Sequence, residues 1–143
     1  GAKLGEGHIT SAPYFQSIDS KRNKQFISEF KAKLGQDCVA NMCAEAAYFQ
    51  VQIVADAIRR TESEDTDLLR SAILGTIFDA PQGKIRIDPT NAHTYLWPRI
   101  GRAQEDGQFQ ILAESDSSIR PEPYMASFDL SEWGVHLASR RET

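Results

Sequence analysis

Apolar residues recur at helical spacing in the first half of the chain and at strand spacing through most of the second. Phe26, Ile27, Phe30 and Leu34 keep a helix's period. Asp19 or Ser20, just ahead, offers a side-chain oxygen to the free N–H groups of a helix start, and Gly35 stands where a left-handed residue closes one. The pattern predicts a helix of about 14 residues with one apolar stripe. A second helix is predicted from about Ala44 to Arg60. Its inward face would hold Ala44, Ala47, Tyr48, Val51, Val54, Ala55 and Ile58, with Gln50, Gln52, Asp56, Arg59 and Arg60 opposite. The many alanines would let it lie close to a sheet. Arg59 and Arg60 suit the negative end of the helix dipole. After a polar break from Thr61 to Asp65, Asp65 or Thr66 would cap a short third helix with Leu68, Leu69, Ala72 and Ile73 turned inward.

The strand signals lie at the edges of this helical block. His8 to Phe15 reads as a strand that runs out at Pro13, which has no N–H for a ladder. Ala80-Pro81-Gln82-Gly83 is a turn, and Lys84 to Asp88 alternates polar and apolar residues as a strand with one wet face does. Thr94 to Ala103 reads as one further strand. Asp106-Gly107 before Gln108 to Leu112 is a hairpin signal. Pro121-Glu122-Pro123 breaks regular structure, Tyr124 to Phe128 suggests a last strand, and Leu130 to Leu137 a short helix capped by Asp129 or Ser131. One strand, three helices and then strands make an α/β chain that looks like part of a larger, discontinuous fold.

The 143 residues are enough for one domain with a core, and 41% hydrophobic and 25% charged residues are ordinary for a globular protein. A net charge of −4 supplies no basic field, which argues against direct nucleic-acid binding. No apolar run is long enough to predict a membrane span. Gly1 to Gly7 has neither the basic start nor the apolar stretch of a signal peptide, and no initiator Met, so the start reads as a cut end. Cys38 and Cys43 fit neither a CxxC nor a zinc pattern and read as free, partly buried thiols of a reducing compartment.

Few residues suggest chemistry. Asp88 and His93 could both touch one metal ion, but two ligands are too few, and a turn in which Asp88 and Asn91 bond the backbone fits better. His8 and His136 are isolated. GxSxG, HExxH, P-loop and GxGxxG motifs are absent from the sequence. Glu45 either favours the positive end of the second helix or lines a pocket. Tyr48 either packs in the core with its hydroxyl bonded to backbone or presents that hydroxyl to a ligand. Tyr14 and Phe15, past a strand end, carry the same two readings. Trp97, Arg99 and Arg102 are open between packing or surface ion pairs and a partner contact.

An ordered set of segments resembles one family. It comprises Ser11-Ala12-Pro13-Tyr14-Phe15 with Ser17-Ile18-Asp19, Ala44-Glu45-Ala46-Ala47-Tyr48-Phe49-Gln50, and Asp79-Ala80-Pro81-Gln82-Gly83 with Ile87-Asp88-Pro89, Asn91 and His93. Arg99-Ile100-Gly101, Gly107-Gln108-Phe109 and Ile119 to Tyr124 complete it. Together they are similar to the C-terminal part of type I periplasmic-binding-protein-like chains. Among these they stand nearest the amide-sensing negative regulators of aliphatic amidase expression, with the urea- and branched-chain amino-acid-binding proteins of ABC transporters as near relatives.

The resemblance implies a fold of two Rossmann-like lobes joined by three crossing strands, with ligand held between the lobes. Residues 1–77 would supply a crossover strand and helices, and residues 78–143 strands, a hairpin and a tail. Most pocket residues would lie upstream. Tyr48 matches a cleft-facing aromatic of amino-acid-binding relatives, so Tyr48 and its neighbour Glu45 are the implied ligand-binding residues. No catalytic residue, metal or cofactor is implied. The expected role is a non-enzymatic small-amide sensor that controls an RNA-binding antitermination protein. The alternative is the substrate-binding component of an ABC transporter for urea, short-chain amides or branched-chain amino acids. A homo-oligomer is a further expectation. The cytoplasm is the expected compartment, or the periplasm if the full chain carries a signal peptide.

Overall fold

The computed structural model describes residues 2–124. A 3-10 turn (Ala2–Gly5) leads into strand β1 (Ile9–Ala12), and three helices follow: α1 (Lys21–Leu34), α2 (Met42–Thr61) and α3 (Thr66–Ile73). The rest is strand: β2 (Ile77–Ala80), β3 (Gly83–Ile87), β4 (Thr94–Tyr95), β5 (Arg99–Ala103) and β6 (Phe109–Glu114). The strands form two antiparallel sheets, ordered β1-β5-β6 and β2-β3-β4. The chain is α/β, as its pattern predicts. Among the described residues no helix is long and apolar enough to cross a membrane.

Cap chemistry sets the helix starts. Ser20 Oγ accepts from Asn23 N at 3.0 Å and Asp65 Oδ1 from Leu68 N at 2.9 Å. Helix α2 begins before the apolar pattern suggests because Asn41 Oδ1 accepts from both Cys43 N and Ala44 N at 3.0 Å. Each such cap stabilises its helix by about 1 kcal/mol.

The face that α2 turns inward is not the predicted one. It buries Glu45, Phe49, Ile53 and Ala57, while Val51, Val54 and Ile58 are exposed. The reason is the β2–β3 hairpin, whose Ala80, Ile85 and Ile87 form one core cluster with Phe49 and Ile53. Helix α3 likewise departs from expectation: Leu68 is exposed, and only the helix end, at Ile73 and the adjoining Leu74, packs on that cluster. A second cluster joins Tyr14, Phe26 and Ala40, with Ile18, Ile27 and Phe30 against it. Tyr48 packs against both clusters. Each large apolar side chain buried in them contributes about 1.5–3 kcal/mol.

The turn at Pro81-Gln82 and the alternation of β3 follow the sequence reading, with Ile85 and Ile87 buried and Lys84 and Arg86 exposed. The stretch from Thr94 to Ala103 does not stay one strand. β4 pairs with β3, whereas β5 pairs with β1 and β6. Pro98 lies between them and cannot donate to a ladder, so the chain leaves one sheet and enters the other there. The Asp106-Gly107 turn joins β5 to β6, with Asp106 Oδ1 accepting from Gln108 N at 2.9 Å and Gly107 at a φ of 81°. Phe15 stacks on Phe109 at 4.9 Å between ring centres. The predicted helix at Leu130 to Leu137, and all of the predicted last strand beyond Tyr124, lie outside the described residues, as does His136.

Candidate functional site

Three polar side chains from distant parts of the chain meet, buried, where the two sheets approach. They are Glu45 from the first turn of α2, Gln82 from the β2–β3 turn and Arg99 from the start of β5. The Glu45 carboxylate accepts from Gln82 Nε2 at 2.9 Å and from Gln82 N at 3.3 Å. Gln82 Oε1 accepts from Trp97 N at 3.4 Å, and the Gln82 carbonyl accepts from Arg99 Nη2 at 2.8 Å. Arg99 also donates to the Pro13 carbonyl at 2.6 Å, to the Trp97 carbonyl at 3.3 Å and to Glu114 Oε2 at 3.0 Å. One guanidinium thereby holds the exit from β1, the hairpin turn and β6 together.

Electrostatics make this cluster sensitive. Glu45 is 1% exposed, and burial pushes its pKa up to about 7. The two Gln82 hydrogen bonds and the Arg99 charge pull the other way without outweighing burial. Tyr14 lies nearby, its hydroxyl donating to Asn23 Oδ1 at 2.8 Å. Burial first, and the Glu45 charge second, raise its pKa above the ordinary tyrosine value. Asn23 in turn donates to the carbonyls of Gln16 and Ile18 at 3.0 and 2.7 Å, which fixes the loop leading into α1.

That loop, the hairpin turn and β6 enclose an open cleft of about 730 Å³. Ser17, Asp19 and Ser20 line one side, Gln82 and Arg99 another, and Trp97 and Phe109 add apolar surface. The Trp97 indole donates to the Lys84 carbonyl at 2.8 Å and lies over Gly83. Gly83 has a φ of 122°, and a Cβ there would stand 3.2 Å from Trp97 Nε1. The chain requires glycine at this point on both counts.

Glu45 and Tyr48 do not share a cavity. Glu45 points into the buried cluster, whereas Tyr48 opens onto an apolar groove of about 650 Å³ between α1 and α2. The Tyr48 ring is 4.8 Å from that of Phe26, and the Arg22 guanidinium lies 5.6 Å from its centre and 5.7 Å from that of Phe78. Tyr14 and Phe15 are buried core residues, and Arg102 is exposed on β5. Asp88 anchors a turn: Oδ1 accepts from Thr90 N at 2.7 Å and Asn91 N at 3.2 Å, and Oδ2 from Arg120 Nε at 3.1 Å. The bonds from Thr90 hold its pKa well below the usual carboxylate range. His93 is exposed beside it. Among the described residues no group of three or more His, Cys, Asp or Glu is placed to hold a metal ion.

The sequence pattern marks Gln82 only as a turn residue. The signal that was there is the row Glu45, Phe49, Ile53 and Ala57, four residues apart, which puts a carboxylate in line with a buried stripe.

The sequence matches the periplasmic binding protein domain over residues 1–129. It is 34% identical over 127 residues to limonene hydroxylase of Geobacillus stearothermophilus, a match covering 89% of this chain and 23% of that protein. A solute binding protein of an ABC transporter from Rhodopseudomonas palustris BisB5, solved in complex with 3,4-dihydroxybenzoic acid, superposes with a TM-score of 0.73 at 26% identity. That superposition covers 82% of this chain and 33% of the other. An amino acid ABC transporter substrate-binding protein from Pseudomonas fluorescens Pf-5 has the same fold, with a TM-score of 0.73 at 20% identity over 85% of this chain and 34% of its own. The chain thus spans about a third of these solved relatives and under a quarter of the Geobacillus protein.

Proposed function

This chain belongs to the periplasmic binding protein domain family, and on that premise we propose that it is one part of a two-lobed domain that holds a small ligand without transforming it. The observation that carries the reading is the family match over residues 1–129, joined to a superposition on a solute binding protein. The family and the solved relatives described above are binding proteins. The cleft lined by Ser17, Asp19, Ser20, Trp97 and Phe109, with the buried Gln82 and Arg99 behind it, is the surface this chain offers to a small ligand. Tyr48 would meet a ligand only where the rest of the domain brings a wall to the α1–α2 groove, and Glu45 serves behind it by holding Gln82.

Two roles use such a domain. As a small-amide sensor, it would release an RNA-binding antitermination protein when ligand shifts the lobes, through differential affinity for the open and closed states. The segment Ile119 to Tyr124 favours this role, whereas Arg99-Ile100-Gly101 and Asp88-Pro89 lean towards the urea-binding relatives. As the substrate-binding component of an ABC transporter, it would deliver urea, amides, amino acids or aromatic acids, and the likeness to the R. palustris protein favours that role. The first places the protein in the cytoplasm, the second in the periplasm.

Calorimetry on the full-length protein with acetamide, urea, leucine and 3,4-dihydroxybenzoate tests the reading. Tight binding of acetamide alone among the four supports the sensor, and tight binding of urea, leucine or the benzoate supports the transporter. Turnover of a ligand, or no heat with any of the four, overturns the proposal.

A further inference from the structure

We propose that Glu45 ties the ligand affinity of the cleft to pH by setting the shape of its Gln82–Trp97 wall; this rests on reading that cleft as the ligand surface. Glu45 is 1% exposed, and both of its carboxylate oxygens face N–H groups of one residue. Oε1 accepts from Gln82 N and Oε2 from Gln82 Nε2. The other end of that amide, Gln82 Oε1, accepts from Trp97 N. A side-chain amide has one accepting end and one donating end. It satisfies a carboxylate on one side and a backbone N–H on the other in a single orientation, the one seen here. That orientation requires Glu45 to be ionised. A proton on either carboxylate oxygen finds no acceptor among the groups bonded there. Turning the Gln82 amide supplies one, but it takes Oε1 from Trp97 N and sets Nε2, a second donor, against it. The proton is thus felt at Trp97, whose indole lies over Gly83 in the cleft wall.

Glu45 is open to titration because no cation among the described residues bonds it. Arg99 spends its donors on three carbonyls and on Glu114. A buried carboxylate held only by neutral donors titrates above its usual range, and burial raises Glu45 to about 7. Two charged or titratable groups act on it. Arg99 of β5 favours its charge, and Tyr14, from the exit of β1, is kept protonated by burial and by Glu45 itself. Glu114 of β6 sits behind Arg99 as its exposed ion-pair partner. The hairpin faces Glu45 with the neutral Gln82, its Asp79 and Lys84 being exposed. On α1, the neutral Asn23 lies behind Tyr14, and Arg22 lies over Tyr48 and Phe78. A ligand that fits the wall as it stands selects the ionised form and drives the proton off, by differential affinity for the two states.

The test uses the full-length protein with acetamide, urea, leucine and 3,4-dihydroxybenzoate. For the ligand that binds, affinity is expected to fall about tenfold from pH 8 to pH 6. At pH 7, heats measured in phosphate and in Tris should differ by the release of about half a proton per ligand bound. Glu45→Gln cannot ionise, and should bind equally well at both pH values with equal heats in both buffers. Unchanged affinity in the parent protein, proton uptake on binding, or the same pH dependence in the variant would each overturn the proposal. A ligand-free readout stands beside this. The Trp97 share of tryptophan emission, taken as the difference from Trp97→Phe, should shift with a midpoint near pH 7 and stay flat in Glu45→Gln. A Trp97 signal flat from pH 5 to 9 in the parent overturns the coupling, whatever binds. A titrating signal in a protein that binds none of the four ligands sinks the functional reading and leaves the coupling standing.

Discussion

The guanidinium of Arg99 donates to the carbonyl of Gln82 at 2.8 Å, across the gap between the two sheets. Because Arg99 is 5% exposed and also bonds the Pro13 and Trp97 carbonyls, its removal strands three backbone acceptors and loosens the hairpin turn. Arg99→Met should destabilise the chain by about 3–5 kcal/mol, as breaking a buried charged network does. Arg99→Lys keeps the charge without the planar fork and should recover only part of this. Glu114→Gln, at an exposed partner, should cost less than about 1 kcal/mol. Urea denaturation midpoints of the three variants check the order.

Glu45 gives stability a pH dependence of predictable sign. Its pKa rises from an ordinary 4.5 to about 7 in the folded state. Stability is therefore fully present below about 4.5 and falls as pH rises through 7, by an amount of order 3 kcal/mol. Asp88 acts in the opposite sense: its lowered pKa contributes stability above an ordinary 3.8 that is lost as pH falls further. The thermal midpoint should peak near pH 4–5 and decline toward pH 8. Glu45→Gln should flatten the decline and be the more stable protein at pH 8. A steady rise in midpoint from pH 5 to 8 in the parent chain would contradict this.

Gly83 sits under the Trp97 indole at a φ of 122°. Gly83→Ala should cost about 1–3 kcal/mol from backbone strain, and more if the indole must lift from the Lys84 carbonyl. A shift in tryptophan emission together with a lower urea midpoint is expected.

Tyr48 packs between both core clusters, so Tyr48→Ala should destabilise by about 3 kcal/mol. Tyr48→Phe keeps the ring on Phe26 and under Arg22 and should leave the midpoint nearly unchanged. If the hydroxyl meets ligand in the full-length protein, the same substitution should weaken binding by about 0.5–1.5 kcal/mol. Calorimetry on the Phe variant reads that directly.

What could be read from the sequence was local. Ser20 and Gly35 bracket α1 because a cap and a closing glycine act within a few residues. Ile85 and Ile87 announce β3 by alternation. The inward face of α2 was not legible, because two apolar stripes compete on one helix and only the hairpin, some thirty residues on, decides between them. The division between β4 and β5 hung on Pro98, whose effect depends on which sheet has a free edge. The Glu45–Gln82–Arg99 cluster was illegible for the same reason: its members are 37 and 17 residues apart in sequence, and periodicity says nothing about partners at such range.

The crossing at Trp97-Pro98 has a further consequence. Two small sheets joined by a bare linker would open separately, each with its own low barrier. Here the linker is flanked by Gln82 accepting from Trp97 N and by Arg99 gripping the hairpin and the end of β1. Neither sheet can fray without breaking bonds that the other needs. The amides of Ile85 and Gly101, in different sheets, should therefore exchange with solvent in a single cooperative opening rather than two.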